Sequence, residues 1–302
     1  MQIAKTSIFK SPNQDHQWLL DWTEKLSRLN QTIYQKIELN TELGKTVVWG
    51  INTDQTNLEP LVIFPGFRTT VLFWDLDNAL GDLKKKYRIF MVETNGQPNL
   101  SDGNTPDIKS EGYGVWAAEV MTKLGLEKAF IAGASFGGLV CMKLCMVAPE
   151  KVKAAFLLNP GCLQMFSLSP KNLYYNLLPI FSPSEKNVRL FMDNAVFCKP
   201  NHQLSPEAEQ LLIDYALFAL TRYEDKTQKP YPMGKKELGQ VNTPVYLIVG
   251  DKDPLFPFQK SIAAAQKNLP DLAGLMVLPD VGHGIEAYGT ALDIVRGWME
   301  MK

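Results

Sequence analysis

The chain has 302 residues, of which 45% are hydrophobic and 21% are charged, a composition ordinary for a folded protein with a sizeable core. Its formal net charge of −1 gives no electrostatic reason to expect binding to nucleic acid or to an anionic membrane surface. No apolar run reaches the roughly 20 residues of a membrane span. The first sixteen residues lack the apolar stretch of a signal peptide. We therefore expect a cytoplasmic protein that is not inserted into a membrane.

Cysteine and histidine usage gives no indication of a metal site. The four cysteines show no C-x-x-C spacing, and the chain has only three histidines. Cys141 and Cys145 lie four residues apart in a predicted helix, which is typical of small core residues sharing one face. The sequence therefore predicts no bound metal.

The N-terminal part of the chain predicts a helix followed by a hairpin. Residues 15–29 carry apolar side chains at helical spacing, which indicates an amphipathic helix packed on its own core, with a partner-binding helix as the alternative. Residues 32–39 alternate polar and apolar side chains, and residues 45–51 are rich in β-forming residues. We predict an antiparallel hairpin at one edge of a sheet.

From Leu61 onward, apolar strands alternate with helices. Residues 61–64 form a continuous apolar run, as expected of a strand buried on both faces. Similar runs follow at residues 88–92, 129–132, 154–158, 245–249 and 275–278. The intervening helical segments include residues 112–124, 139–147 and 257–269. This alternation predicts a mostly parallel, doubly wound α/β sheet with right-handed crossovers.

One interval is too long for a single crossover. The stretch between about Asn159 and Val245 is rich in aromatic residues and prolines, and a structureless loop of that length would be implausible. We predict a helical cap over residues 162–240, where it would cover the ligand-binding edge of the sheet. The core domain would then comprise residues 1–161 and 241–302. A peripheral helical extension is the alternative.

The segment AFIAGASFGGLV, residues 129–140, contains the pattern G-x-S-x-G between a predicted strand and a predicted helix. This arrangement is typical of a nucleophile elbow, in which a sharp turn projects Ser135 from the sheet. Gly133 and Gly137 would permit the close backbone approach that the turn requires. A closely packed or phosphate-binding glycine-rich turn is the alternative, but the Lys-Ser or Lys-Thr pair of a P-loop is absent.

A nucleophilic serine requires a base and a carboxylate that orients the base. His283, between two glycines in the loop after the last predicted strand, is the candidate base, whereas His16 and His202 lie in the first helix and in the cap. Asp253 is the preferred carboxylate. Asp251 competes with it but can instead cap its turn, and Asp280 is expected to be solvated.

The negatively charged oxygen of an acyl-transfer intermediate needs backbone donors. The N–H of Phe136, directly after the serine, is one candidate, and the N–H of Phe67, in the loop after the first buried strand, is the second. Gly66 permits close approach to a substrate. We expect Arg68 to be a charge at the mouth of the site or on the surface, with an anchor for a substrate carboxylate as the alternative.

The chain resembles the α/β-hydrolase fold family from about Thr32 to the C-terminus. The matching motifs are PGF at residues 65–67, GASFGG at 133–138, GDKDP at 250–254 and GHG at 282–284. The similarity is greatest to capped esterases, C–C hydrolases and peroxidase-like members. The Pro65-Gly66 pair stands where many members have His-Gly. Serine at the elbow argues against haloalkane dehalogenases and epoxide hydrolases, which the family pattern gives an aspartate nucleophile.

The resemblance implies hydrolysis of a small or medium apolar carboxylic ester by Ser135, His283 and Asp253, without a cofactor. A thioesterase, a C–C hydrolase acting on a β-diketone-like compound, an aminopeptidase, a lactonase or an acyltransferase would use the same three residues. A ligand-binding protein without turnover is the alternative from another class. The expected partner is a small-molecule substrate and not nucleic acid, and a homodimer is left open.

Overall fold

A computed structural model describes residues 2–301, and its centre is one eight-stranded sheet. We number the strands of this sheet in chain order: β1 (Gln35–Thr41), β2 (Gly44–Ile51), β3 (Glu59–Phe64), β4 (Tyr87–Val92), β5 (Ala129–Ala134), β6 (Val152–Leu158), β7 (Val245–Gly250) and β8 (Leu272–Leu278). The strands lie side by side in the order β8-β7-β6-β5-β3-β4-β2-β1.

All of these strands run parallel except β2, which is antiparallel to both β1 and β4. The β1–β2 hairpin closes tightly, with Thr41 opposite Gly44. The mostly parallel, doubly wound sheet and its antiparallel edge hairpin are therefore confirmed.

Helices cover both faces of the sheet. They are α1 (Pro12–Asn30), α2 (Leu83–Lys86), α3 (Gly112–Lys123), α4 (Phe136–Val147), α5 (Pro170–Phe181), α6 (Glu185–Phe191), α7 (Pro206–Arg222), α8 (Lys235–Leu238), α9 (Phe258–Asn268) and α10 (Gly289–Glu300). Within residues 2–301 none of the helices has the length and apolar character needed to cross a membrane.

The core consists of two apolar layers, one on each face of the sheet. In β3, Leu61 and Ile63 belong to one layer, whereas Val62 and Phe64 belong to the other. Because alternate side chains of a strand point to opposite faces, both faces of this strand are buried. This double burial explains why the strand is apolar throughout, and it keeps the carboxyl end of β3 fixed beside that of β5.

The chain between β6 and β7 contains α5 to α8 and a π-helical turn, Met192–Val196. We call residues 162–240 the cap segment; that they form a separate unit stays a prediction. The cap segment is attached to the N-terminal region. Trp22 of α1 donates its indole N–H to the Leu211 carbonyl of α7 at 2.9 Å, and Tyr223–Asp225 pairs with Ser7–Phe9.

The contact between α3 and α4 depends on a glycine. A β-carbon built at Gly114 of α3 would lie 2.4 Å from the carbonyl oxygen of Lys143 in α4, whereas one built at Gly297 of α10 would have no neighbour within 4 Å. The two helical glycines thus differ in the space available to a methyl group.

We expect Gly114→Ala to lower the free energy of unfolding by about 1–3 kcal/mol, because two helix backbones must move apart. Gly297→Ala should raise it by about 0.5–1 kcal/mol, through helix propensity alone. Urea denaturation measures both values. A stabilising Gly114→Ala would contradict the close packing of α3 on α4.

Candidate active site

Ser135 lies at the junction of β5 and α4 with φ 50° and ψ −110°. An L-residue rarely adopts these angles, and such strain persists only where the surroundings enforce it. The Ser135 N–H donates to the Leu158 carbonyl at 3.0 Å, and its carbonyl accepts from Gly161 at 2.9 Å. Ser135 is half-buried, although its neighbours from Ile131 to Val140 are buried. Its side chain is therefore the accessible point of an otherwise closed turn.

The two glycines of the motif make this turn sterically feasible. A β-carbon at Gly133 would lie 2.3 Å from the backbone of Gly137, and one at Gly137 would lie 2.2 Å from the Phe64 carbonyl oxygen. Both distances are too short for real atoms. The first helical turn of α4 therefore packs directly against the end of β3, where the loop carrying Phe67 begins.

Asp253 and His283 form a hydrogen-bonded pair. Asp253 Oδ2 lies 2.8 Å from His283 Nδ1, and the Asp253 side chain is fully buried. Its other oxygen, Oδ1, accepts from the N–H groups of Leu255 at 2.8 Å and Phe256 at 3.1 Å. The carboxylate is thus held from one side and presents its second oxygen to the imidazole.

Asp251 has a different role in the structure. Its Oδ1 accepts from the N–H of Asp280 at 2.7 Å, so it ties the loop after β7 to the loop after β8. Asp280 itself is exposed and has a left-handed backbone with φ 51°. Of the two aspartates that compete in the sequence, only Asp253 contacts His283.

The charge state of His283 is set by opposing effects. Burial lowers its pKa, but the Asp253 carboxylate and hydrogen bond, together with the charge of Glu286, outweigh burial and raise the pKa above 6.5. A neutral ring bonded through Nδ1–H to Asp253 leaves Nε2 free to accept a proton.

Ser135 follows β5 and His283 follows β8, so both lie at the carboxyl edge of the sheet. Among the hydrogen bonds of residues 2–301, none joins the Ser135 hydroxyl to the His283 ring. Catalytic hydrogen bonds are often long in unliganded enzymes and tighten when substrate binds. The loop around Gly66 lies beside both elements, because a β-carbon built there would be 3.7 Å from Ser135 Cβ and 3.9 Å from Glu286 Oε1.

Phe67 and Phe136, the two residues whose N–H groups are the predicted oxyanion donors, have rings in contact. Their rings meet edge to face with centroids 6.0 Å apart. Phe136 is the first residue of α4, so its N–H has no acceptor within the helix. Among the described residues, no hydrogen bond uses the N–H of Phe67. Unpaired backbone N–H groups of this kind are the donors that can stabilise a negative oxygen.

A buried carboxylate, which the sequence analysis does not single out, holds the loop that carries Phe67. Glu93 follows β4; its Oε2 accepts from the N–H of Val71 at 3.1 Å, and its Oε1 accepts from Trp49 Nε1 at 3.1 Å and from the Thr70 hydroxyl. The loop is fixed a second time where the Arg68 N–H donates to Gln97 Oε1 at 2.6 Å. The only sequence signal for Glu93 is an acidic residue directly after a buried strand.

The Arg68 guanidinium is paired within the protein. Its Nε donates to Asp225 Oδ2 of the cap segment at 2.8 Å, and the side chain is about one-third exposed. The guanidinium also lies 5.7 Å from the centre of the Phe67 ring. These contacts favour a charge at the mouth of the site over an anchor for a substrate carboxylate.

Glu286 is a second carboxylate that the sequence analysis does not identify. It lies in a 3₁₀ turn, Ile285–Ala287, directly after the histidine loop. Burial raises its pKa, while the charge of His283 opposes that shift. A position three residues after a histidine in a turn has no recognisable pattern, so only the folded chain shows that Glu286 faces Gly66 and His283.

Glu93 makes the stability of the protein dependent on pH. Burial raises its pKa from 4.5 to about 7, against hydrogen bonds from Thr70, Val71 and Trp49. A raised pKa in the folded state means that stability is complete below pH 4.5 and is lost as the pH rises through 7.

We expect the free energy of unfolding of the wild type to fall relative to that of Glu93→Gln by about 3 kcal/mol between pH 5 and pH 8. Urea denaturation across that range measures the difference. Glu150→Gln, at an exposed site, is the matched control and should show no such trend. If the difference in free energy of unfolding between wild type and Glu93→Gln stayed constant with pH, this would contradict a raised pKa of Glu93 in the folded protein.

The comparisons with known proteins agree with this architecture. A family model described as the alpha/beta hydrolase fold matches residues 59–181. An uncharacterized carboxylesterase, nap, of Bacillus subtilis is 24% identical over 247 residues, which are 81% of this chain and 79% of that protein.

Two crystal structures from Bacillus subtilis superpose on nearly the whole chain. Naproxen esterase (carboxylesterase NP) has a TM-score of 0.76 at 21% identity, covering 95% of this chain and 98% of that one. Carboxylesterase CesB (YbfK) has a TM-score of 0.76 at 18% identity, covering 94% and 97%. The strand order, the elbow and these similarities lead to one conclusion: the chain has the α/β-hydrolase fold.

Proposed function

We propose that the chain is a serine-dependent hydrolase of small or medium apolar carboxylic esters. The observation that carries the proposal is the buried Asp253–His283 pair, 2.8 Å between oxygen and nitrogen, at the same edge of the sheet as the strained Ser135. The names of the relatives, carboxylesterase and naproxen esterase, support the same reaction class.

In the proposed reaction, His283 Nε2 removes the hydroxyl proton of Ser135 as its oxygen attacks the ester carbonyl. The N–H groups of Phe67 and Phe136 hold the oxygen that becomes negative. His283 then gives its proton to the alcohol oxygen as the bond between that oxygen and the acyl carbon breaks. The acyl group stays bonded to Ser135. Water, deprotonated by His283, releases the acid and regenerates the serine.

Asp253 acts by keeping the imidazole proton on Nδ1 and by stabilising the imidazolium that forms. Its buried Oδ1, held by the N–H groups of Leu255 and Phe256, fixes the direction of Oδ2. No step requires a metal or an organic cofactor, and this too stays a prediction.

Aromatic side chains favour an apolar substrate. The Phe256 ring lies 5.5 Å from the His283 ring, and Phe166, at the start of the cap segment, meets Phe256 edge to face at 6.1 Å. Phe67 adds a half-buried ring beside the proposed oxyanion donors. In our proposal the cap segment, residues 162–240, supplies one wall of the acyl or alcohol pocket.

The two competing aspartates provide a matched test. Asp253→Asn removes the charge that orients His283, so kcat for p-nitrophenyl acetate, butyrate and octanoate should fall about 10³- to 10⁴-fold. Asp251→Asn alters only a tether between two loops and should reduce kcat by about tenfold or less. Steady-state hydrolysis of the three esters by the purified proteins measures this.

Equal losses in the two variants would overturn the assignment of the acid. A folded wild type that hydrolyses none of the three esters would overturn the esterase proposal, and ligand-induced thermal shifts would then test a binding protein without turnover.

A further inference from the structure

The histidine loop, residues 279–284, is bonded to the cap segment through its backbone. The N–H of Gly284 donates to the Val196 carbonyl at 2.9 Å, and the N–H of His283 donates to the Ala195 carbonyl at 3.4 Å. The approach is close, because a β-carbon built at Gly282 would lie 2.5 Å from the Val196 carbonyl oxygen. Two segments that are distant in sequence, around Val196 and around His283, thus run side by side.

His202, in the same part of the cap segment, completes this contact. Its side chain is fully buried, and its Nδ1 accepts a hydrogen bond from the Gly282 N–H at 3.1 Å. The ring is held between Phe197 and Tyr288, with centroid distances of 5.0 and 5.2 Å. The preceding residue, Asn201, donates from its amide to the carbonyls of Pro279 at 3.1 Å and Asp280 at 3.2 Å.

The His202 ring is suited to accept this hydrogen bond. Burial lowers its pKa to about 4, so the ring is neutral at neutral pH. With Nδ1 as acceptor the proton lies on Nε2. An apolar side chain of similar size would leave the Gly282 N–H without this acceptor.

We propose that His202 is a positioning residue for His283: by accepting the Gly282 N–H it fixes the peptide between Val281 and Gly282, next to His283, and so directs the imidazole towards Asp253 and Ser135. This inference rests on the proposed function, in which His283 is the base. Asn159 holds the same loop from the core side, donating to the carbonyls of Gly282 at 2.9 Å and His283 at 3.2 Å. The histidine loop is therefore fixed between core and cap.

Three variants separate positioning from packing. His202→Leu fills a similar volume without an acceptor. His202→Asn retains an acceptor, because its Oδ1 is attached to Cγ as Nδ1 is in histidine. His16→Leu removes a histidine from α1. The His16 ring packs edge to face on Phe9 at 5.4 Å and, among the residues that the structure describes, has no hydrogen bond or ring contact with the histidine loop.

We expect His202→Leu to lower kcat for p-nitrophenyl butyrate by about ten- to a hundredfold with little change in KM, because a small displacement of the base is costly in rate. His202→Asn should recover most of the lost kcat, and His16→Leu should match the wild type. Wild-type kcat in His202→Leu would overturn the inference. So would equal kcat losses in the Leu and Asn variants that follow their melting temperatures.

A second readout does not depend on turnover. The Nδ1 proton of His283 bonded to Asp253 gives a downfield proton NMR signal, assigned by its loss in His283→Ala. We expect the signal to shift or broaden in His202→Leu and to return in His202→Asn, and an unchanged signal in His202→Leu would overturn the inference. An inactive wild type would overturn the esterase proposal, while this signal would still decide the role of His202.

Discussion

The close packing of α4 against the end of β3 is the constraint on which the rest of the site depends. Because Gly137 has no β-carbon, α4 can approach the Phe64 carbonyl closely. This approach allows the sharp chain reversal in which Ser135 is held at φ 50°. The same packing puts the N-terminus of α4 next to the loop that carries Phe67. The proposed nucleophile and the proposed oxyanion donors are therefore positioned by one steric contact, which is supported by the doubly buried strands β3 and β5.

Asp253 and His283, the proposed partners of Ser135, are held by hydrogen bonds. The buried Asp253 is fixed by two backbone N–H groups, and the histidine loop lies between Asn159 on the core side and His202 on the cap side. Glu93 holds the opposite loop through Val71 and Thr70. Buried polar groups of this kind define one geometry when each of them has its hydrogen-bond partners. The cap segment contributes to that geometry through its contacts with the histidine loop.

The sequence was most informative where one local pattern determines the structure. Continuous apolar runs predict the parallel strands, and G-x-S-x-G between a strand and a helix predicts the elbow, because both follow from backbone sterics and burial. The choice between Asp251 and Asp253 was harder, since both follow the same strand and only the folded loops show which carboxylate meets His283. Glu93 and His202 contact residues distant in sequence, and Glu286 lies in a turn that follows no recognisable pattern, so no spacing could identify these three residues. The cap boundaries and the roles assigned to the site residues stay predictions.

The central claim is that Ser135 is an activated nucleophile, and covalent labelling tests it most directly. The purified wild type is treated with a fluorophosphonate, its intact mass is measured, and the modified peptide is sequenced by mass spectrometry. We expect one adduct, on Ser135, and none on Ser135→Ala or His283→Ala, because attack at phosphorus needs both the hydroxyl and its base. A folded wild type that stays unmodified, or an adduct that persists in Ser135→Ala, would contradict the account.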